Sequence, residues 1–317
     1  MRMIIITLYK TRMIIIYFVK KINRILKMNL KKFIFLCGIL LSFEVYGNSC
    51  EVAENSSRIA IAGGSLTEIT FLLEAEDRIV AADLTSNYPM MARDLPSIGY
   101  VRALSTEGIL SLSPTLILGE DDMGPPTVLE QLSKTGIDIR VIPEEHSSKG
   151  IIKKISCISK ILGISNVAEN IIENQINPEI DELEKLSKEI ESKNINVMFI
   201  LGMQSGSPLV AGKGTSADGF IKMIGANNIM SNFEGWKPVN AESIINGSPD
   251  YILISNRGLD SFGDINELYE HPSLMFTPAA ENNNIIAMDG MAMLGFSSRT
   301  ISSAREIGIR LIKEYED

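Results

Sequence analysis

Histidine is nearly missing from this sequence, which has only His146 and His271 among its 317 residues. The motifs G-x-S-x-G, H-E-x-x-H and C-x-x-C are also absent. A serine hydrolase needs a base beside its nucleophile, and zinc or manganese sites usually take several histidines. The sequence therefore argues against a multi-histidine metal site, and it leaves a hydrolase only if one of these two residues is the base. Both are expected on the surface, His146 in a polar loop and His271 before Pro272.

Aromatic residues are few as well. Phe, Trp and Tyr make up 6% of the chain, and they are not interleaved with basic residues. The formal net charge is -9, and residues 1–32 hold nine Lys or Arg without an acid, so the remainder is more acidic than the total. An acidic surface repels nucleic-acid phosphates, which argues against a nucleic-acid-binding function.

The longest apolar run near the start, residues 33–43, is too short for a comfortable membrane span. It follows the basic residues Lys31 and Lys32 and is itself followed by residues suited to cleavage after Gly47, which predicts a secretory signal peptide. Residues 1–27 are interpreted as the product of an upstream start codon, with a tandem anchor as the alternative. Residues 1–47 are therefore assigned to an upstream extension and signal peptide.

The chain has three cysteines, and Cys37 leaves with the signal peptide. Export permits a disulfide between Cys50 and Cys157, although a chain of this size does not need one. A lipidated N-terminus at Cys50 is the alternative, but the preceding residues 47–49 match the small apolar context of lipidation poorly.

Short apolar strands alternate with helical segments along the rest of the chain. Strands are predicted at residues 58–62, 78–82, 115–118, 137–142, 196–201, 251–255 and 285–288. Ser65 and Glu68 are spaced as a capping box at the start of the first helix. The alternation predicts an α/β fold with two Rossmann-like lobes of mostly parallel sheet, at residues 58–163 and 195–317.

One long helix is predicted at residues 165–193, between the two lobes. Its apolar residues recur at steps of three and four: Ile172, Ile176, Ile180, Leu183, Leu186 and Ile190. Pro178 is expected to kink it, since an internal proline costs about 3 kcal/mol. A helical connector of this kind allows only modest closure of one lobe on the other.

An internal repeat relates the two lobes. Residues 107–118 align without gaps on residues 242–253, with Glu, Ile, Ser-Pro and the final Ile-Leu in common. Because the repeat occupies the same helix-to-strand position in each half, the lobes are interpreted as copies of one ancestor. Open α/β sheets bind ligands at the carboxyl ends of their strands, so the ligand is expected in a cleft between the lobes.

Residues 95–108, LPSIGYVRALSTEG, are the most distinctive stretch of the chain. Gly99 permits a sharp turn, and residues two apart in an extended segment share a face, so Tyr100 and Arg102 are expected to point the same way. A guanidinium beside a phenol favours the phenolate, which is a hard anionic oxygen suited to ferric iron.

Tyr88-Pro89 together with residues 95–108 resembles the haemin-binding periplasmic proteins of bacterial haem ABC importers, which are helix-linked, class III substrate-binding proteins. The likeness extends from about Arg58 to the C-terminus. It implies a periplasmic protein that catalyses no reaction and carries ferric haem, with Tyr100 as the axial ligand of the iron.

The resemblance also implies the other contacts of the haem. Arg102 is the expected partner of Tyr100, and Arg257 is the basic residue that the family tends to carry near the iron ligand. Met203 and Gln204 are expected at the other face of the porphyrin, and Met293 and Phe296 as an apolar wall. Some relatives supply a second ligand, commonly histidine, from the loop at residues 203–207. This chain has none there, so five-coordinate iron is expected.

The implied partners are an inner-membrane ABC permease dimer with its ATPase, and an outer-membrane haem receptor upstream. Glu107 and Glu242 occupy equivalent positions of the repeat, and by resemblance they dock on arginines of the permease, with Glu68 as a further candidate. The protein is expected to act as a monomer. The alternatives are the same fold binding a ferric siderophore or a cobalamin, or an exported α/β hydrolase.

Overall fold

The computed structural model describes residues 50–316, with side chains as far as residue 313. The predicted extension and signal peptide lie outside these residues. The N-terminal lobe contains six strands, β1 (Ile59–Ala62), β2 (Ile79–Ala82), β3 (Gly99–Tyr100), β4 (Ala103–Leu104), β5 (Leu116–Gly119) and β6 (Asp138–Val141). Four of them form a parallel sheet in the order β2-β1-β5-β6, while β3 and β4 form a separate antiparallel hairpin.

Four α-helices accompany this sheet, α1 (Gly64–Leu72), α2 (Thr106–Ser111), α3 (Pro126–Ser133) and α4 (Ser148–Ile161). The predicted capping box at the start of α1 is wrong, because the N-cap position is Gly63 and no side chain caps it. Ser65 instead donates a hydrogen bond to Glu120, and Glu68 accepts hydrogen bonds from Ser297 and Arg299. Both side chains are therefore committed to contacts between distant segments.

A continuous helical run joins the lobes, formed by α5 (Ser165–Ile171), a π-helical turn (Ile172–Ile176) and α6 (Asn177–Lys193). Pro178 lies just after the π turn, in the first turn of α6. A proline has no N–H for the preceding turn and its ring crowds the carbonyl four residues earlier, and a locally widened helix relieves that conflict.

The C-terminal lobe contains the strands β7 (Asn196–Gln204), β8 (Ser207–Ala211), β9 (Asn227–Asn228), β10 (Trp236–Pro238), β11 (Tyr251–Ser255) and β12 (Ile285–Met288). Their order is β10-β8-β7-β11-β12, and β9 pairs with β7. Strands β7, β11 and β12 are parallel, as predicted. Strand β8 was not predicted. Ser205 and Gly206, with φ of 51° and 81°, form a two-residue turn that folds it back antiparallel on β7.

The helices of this lobe are α7 (Ser216–Ile224), α8 (Ala241–Gly247), α9 (Asn256–Leu259), α10 (Ile265–Tyr269), α11 (Pro278–Glu281), α12 (Gly290–Leu294) and α13 (Ser298–Glu316). None of the described helices combines the length and hydropathy of a membrane-spanning segment. The predicted fold class is confirmed, with two lobes of mostly parallel sheet and one long helical connector. The boundaries 58–163, 165–193 and 195–317 stay predictions.

The repeat seen in the sequence is also present in the backbone. Ser113 and Ser248, which precede the prolines of the two copies, adopt φ of 47° and 46°. Strand β5 lies between β1 and β6, and β11 lies between β7 and β12. Ile109 and Ile244 are both fully buried. The two copies therefore have the same local structure at the same place in their sheets.

Three hydrophobic clusters form the core. The largest cluster is formed by one face of each sheet and by the connecting helices. It includes Ile59 of β1, Leu183 of α6 and Leu253 of β11. The two smaller clusters cover the opposite faces, with Ala60 in the N-terminal lobe and Ile252 in the C-terminal lobe. Each sheet is thus packed on both sides, as the near-continuous apolar strands require.

A disulfide joins Cys50 to Cys157 of α4. Near it, the backbone N–H of Ala53 donates to the carbonyl of Ile161 at the end of the same helix. The segment that precedes β1 is therefore fixed to the N-terminal lobe at two points. Because the Cys50 sulfur is bonded to Cys157, it is not free to carry a lipid in this structure.

Candidate functional site

Tyr100 and Arg102 lie on the β3–β4 hairpin. Gly99 has φ of 96°, and a Cβ there would lie 2.9 Å from the carbonyl oxygen of Ala103, so the turn requires glycine. Arg102 Nη1 donates a hydrogen bond to Tyr100 Oη over 3.3 Å. The two side chains share one side of the hairpin, as the alternation of an extended segment predicted.

Backbone hydrogen bonds place this hairpin at the carboxyl edge of the N-terminal sheet. Leu84, which follows β2, donates its N–H to the carbonyl of Gly99 over 2.8 Å. Gly124, which follows β5, donates to the carbonyl of Val101 and accepts from Leu104. The hairpin is therefore held between the loops that leave two strands of the sheet, where open α/β sheets bind ligands.

Asp122 fixes the orientation of Arg102. Its Oδ2 accepts a hydrogen bond from Arg102 Nε over 2.7 Å, and the two side chains form an ion pair. Burial lowers the pKa of Arg102, but the hydrogen bond and charge of Asp122 outweigh it and the net shift is upward. The guanidinium therefore stays cationic while it faces the Tyr100 oxygen.

Three predicted residues of the C-terminal lobe lie at the carboxyl ends of its strands. Met203 and Gln204 were predicted in a loop, but they are the last residues of β7, at the tip of the β7–β8 hairpin. Arg257 lies in α9, directly after β11. The Met203 N–H donates to Ser261 Oγ just beyond α9 over 3.2 Å, so these two segments adjoin.

Arg257 is an exposed cation. Within the part of the chain that the structure describes, its guanidinium has no hydrogen-bond or ion-pair partner. No hydrogen bond joins it to Tyr100, and the two residues are presented separately by the two lobes. An unpaired arginine at the carboxyl edge of a sheet is free to bind an anionic group of a ligand.

Met293 and Phe296 do not form an apolar wall of the site. Both are fully buried in the largest core cluster, and the Phe296 ring packs against His146 with 4.9 Å between ring centroids. The prediction is corrected because side chains without exposed surface offer nothing to a ligand. Sequence spacing alone does not separate an inward-facing Met or Phe from one that lines a cleft.

The loop between β2 and β3 carries exposed apolar residues that were not predicted as part of the site. Leu84, Met90 and Met91 are more than half exposed, at 62%, 76% and 62%. Leu84 adjoins the hairpin through its hydrogen bond to Gly99. Exposed apolar residues concentrated in one loop at a site edge are typical of a surface that an apolar ligand covers. The available signal was the pair Met90-Met91 directly after Tyr88-Pro89.

A largely buried charged cluster lies beside the site, at the end of β5. Glu120 Oε1 accepts a hydrogen bond from Ser65 over 2.7 Å, and Ser65 in turn accepts one from Lys154 Nζ over 3.1 Å. Lys154 also pairs with Glu144. Burial raises the pKa of Glu120 to about 7, against the opposing effects of the Lys154 charge and the Ser65 hydrogen bond. The cluster thus contains a carboxyl group, that of Glu120, that titrates near neutral pH.

The two histidines were predicted on the surface, and both are half-buried there, each against an aromatic ring. His146 packs on Phe296 and His271 on Phe262. Burial lowers the pKa of both imidazoles. Within residues 50–316, no group of three or more His, Cys, Asp or Glu side chains is arranged to hold a metal ion.

Glu107 and Glu242 are exposed in the first turns of α2 and α8. Ser105 and Asn240 cap these helices by accepting hydrogen bonds from the N–H groups of Gly108 and Ser243. The two acids are therefore presented in the same way by the two lobes. Glu68 is not available for docking, because its side chain is 4% exposed and pairs with Arg299.

Comparison with known proteins places this geometry in a family. The family model described as periplasmic binding protein matches residues 59–292. The structure of the periplasmic haem-binding protein RhuT from Roseiflexus sp. RS-1 is 32% identical, with a TM-score of 0.77, and the match covers 82% of this chain and 99% of that one. The haem-binding protein HutB of Vibrio cholerae is 35% identical, with a TM-score of 0.73 and coverage of 81% and 99%.

Curated relatives are more distant in sequence. The vitamin B12-binding protein of Vibrio campbellii is 22% identical over 261 residues, which are 80% of this chain and 88% of that protein. The ABC transporter substrate-binding lipoprotein YvrC of Bacillus subtilis (strain 168) is 22% identical over 216 residues, with coverage of 65% and 68%. Since the family model spans most of the described residues, the chain belongs to the periplasmic binding proteins, which bind substrates for transport and are not enzymes.

Proposed function

We propose that this protein binds ferric haem in the cleft between its lobes, with Tyr100 as the axial ligand, and delivers it to the permease of an ABC importer. The observation that carries the proposal is the hydrogen bond from Arg102 to Tyr100 Oη at the carboxyl edge of the N-terminal sheet. The haem-binding names of the two similar structures support the same ligand.

Tyrosine is an established axial ligand of haem iron, and its ionised oxygen is anionic. Arg102 Nη1 donates a hydrogen bond to the Tyr100 oxygen over 3.3 Å, which places a cation beside the atom proposed to bind the iron. Asp122 holds Arg102 from the other side, so the cation faces Tyr100 without having to be ordered by the ligand. The arrangement therefore suits capture of an oxidised iron with an open axial position.

The rest of the ligand requires apolar surface and a counter-charge. Leu84, Met90 and Met91 are proposed to cover one face of the porphyrin, and Met203 and Gln204 to approach the other. Arg257, which has no partner within residues 50–316, is proposed to pair with a propionate. Because residues 203–207 contain no histidine, the iron is proposed to be five-coordinate and the haem single.

Cobalamin is the second candidate, because the curated relatives include vitamin B12-binding proteins. The metal of a cobalamin or a ferric siderophore is already chelated, so neither ligand needs a tyrosine oxygen.

Titration of the purified mature protein with haemin is expected to shift the Soret band and saturate at one equivalent, whereas cyanocobalamin at the same concentration should leave its own spectrum and the protein fluorescence unchanged. Absorbance measures haemin binding, and absorbance together with tryptophan fluorescence measures cyanocobalamin binding. Saturable binding of cyanocobalamin without a response to haemin would replace haem by cobalamin as the ligand.

Delivery is proposed to depend on Glu107 and Glu242 pairing with basic residues of the permease. The double variant Glu107→Arg/Glu242→Arg should lower haem uptake by at least about tenfold, because like charges then meet at both contacts. Haem affinity should stay unchanged. Uptake by cells that lack the native binding protein measures the effect, and Glu184→Arg/Glu189→Arg on the exposed face of α6 is the charge-matched control. Normal uptake in the Glu107/Glu242 variant would remove these acids from docking.

The other proposed partners follow from the same role. An outer-membrane haem receptor would supply the ligand, and an inner-membrane permease dimer with its ATPase would accept it. The protein is proposed to act as a periplasmic monomer.

A further inference from the structure

Arg299 lies at the contact between the lobes. It is in the first turn of α13, in the C-terminal lobe, and its side chain is 20% exposed. Its Nη1 donates to Asp289 of the same lobe over 2.8 Å. Its Nε and Nη2 donate to the two oxygens of Glu68 in α1 of the N-terminal lobe, over 3.1 and 2.5 Å. This bidentate ion pair fixes both the distance between Arg299 and Glu68 and their relative orientation.

Glu68 is held by the C-terminal lobe. Besides Arg299, it accepts a hydrogen bond from Ser297 over 2.5 Å. It is 231 residues from Arg299 in sequence, and its side chain is 4% exposed. Because a buried carboxylate without partners is strongly disfavoured, separating the lobes at this point would be costly. The Glu68–Arg299 pair therefore sets how closely α1 approaches α13.

The planar face of the Arg299 guanidinium contacts the loop between β2 and β3. Arg299 Cζ lies 4.0 Å from the centroid of the Tyr88 ring, the distance of a cation–π contact. Tyr88 belongs to the loop between β2 and β3. Near its start Leu84 is hydrogen-bonded to Gly99, and at its end Ser97 bridges to Ala82 of β2. One arginine thus contacts both the lobe junction and the loop that supports the Tyr100 hairpin.

We propose that Arg299 is a positioning residue for the ligand. The N–H groups of its guanidinium bind Glu68 and so hold the two lobes together. The planar face of the guanidinium packs on Tyr88 and holds the loop between β2 and β3. The position of the Tyr100 hairpin therefore depends on the contact between the lobes. The proposal rests on the proposed haem-binding function. It goes beyond it by assigning control of the ligand site to a residue of the opposite lobe that does not touch the iron.

The test compares Arg299→Gln and Tyr88→Leu with wild type, by the rate of haem dissociation and by the absorption spectrum of the bound haem. Each variant is expected to release haem about tenfold faster, with an altered spectrum, because the Tyr100 oxygen is less well placed. Tyr88→Leu leaves the Glu68 ion pair intact and keeps the test valid if Arg299→Gln folds poorly. Tyr88→Phe keeps the aromatic face and is expected to release haem at the wild-type rate.

Arg305→Gln is the matched control, because Arg305 lies on the same helix and pairs with a glutamate, Glu182, away from Tyr88. It is expected to leave dissociation and spectrum unchanged. If Arg299→Gln and Tyr88→Leu release haem at the wild-type rate with the wild-type spectrum, the proposal is overturned and the ion pair is structural only. If wild type itself takes up no haem, the proposed function fails first, and this inference with it.

Discussion

Tyr100→Phe is expected to lower haem affinity by on the order of 100-fold, or about 2.7 kcal/mol. The substitution keeps the half-buried ring and removes only the oxygen that Arg102 contacts at 3.3 Å. Folding should therefore be normal while the iron loses its axial ligand. Haemin titration measures the affinity, and loss of the ligand-to-metal charge-transfer band of the bound haem reports on the bond itself.

Tyr269→Phe is the control for loss of a tyrosine hydroxyl. Tyr269 Oη donates to the carbonyl of Asn283 over 2.9 Å within the C-terminal lobe, and its removal should leave haem affinity unchanged. Arg102→Gln is expected to fall between wild type and Tyr100→Phe, since it keeps the ligand but removes the cation beside it. A Tyr100→Phe protein with an unaltered spectrum and affinity would show that another group binds the iron.

Lys154→Met is expected to lower the free energy of unfolding by about 3–5 kcal/mol, the usual cost of breaking a buried ion pair from one side. The Lys154 side chain has no exposed surface, and it pairs with Glu144. It also donates to Ser65 and to the carbonyl of Gly295 of the other lobe, each over 3.1 Å. Methionine fills similar space but satisfies none of these acceptors.

Most of this loss should come from Glu144, because its buried Oε1 has no hydrogen-bond partner within residues 50–316 and its Oε2 would lose Lys154. Lys154→Met/Glu144→Gln should therefore recover part of the stability, because the charge of Glu144 is then no longer buried without its partner. Urea unfolding measures each variant. Lys153→Met is the neighbouring control, since the Lys153–Glu145 pair is largely exposed, and it should cost much less stability than Lys154→Met. Equal losses for Lys153→Met and Lys154→Met would contradict the role of the buried pair.

Local patterns in the sequence predicted the two lobes and the shared side of Tyr100 and Arg102, but not the β3–β4 hairpin that carries them. The strand-helix alternation gave β1, β2, β5, β6, β7, β11 and β12, and the repeat located two equivalent helix starts. The shared side of Tyr100 and Arg102 follows from residue alternation over a few positions. These features depend on contacts between residues that are close in the chain, which is the information that periodicity and turn residues carry.

Contacts between distant segments were not accessible to the same reasoning. Glu68 matches a capping box, but its partner is Arg299, 231 residues away. Met293 and Phe296 have the composition of a ligand wall, but the packing of α12 and α13 buries them. Tertiary partners decide between local alternatives of this kind, and a single sequence does not contain the pairing.

The largest core cluster has a consequence for how residues 50–316 unfold. It runs without a break from the N-terminal sheet through the connecting helices into the C-terminal sheet, with Ile61, Ile180, Phe199 and Ile301 among its members. Neither half retains a covered inner surface when the other is removed. The two halves should therefore unfold together in one cooperative transition. A fragment of either half would expose a hydrophobic surface prone to aggregation.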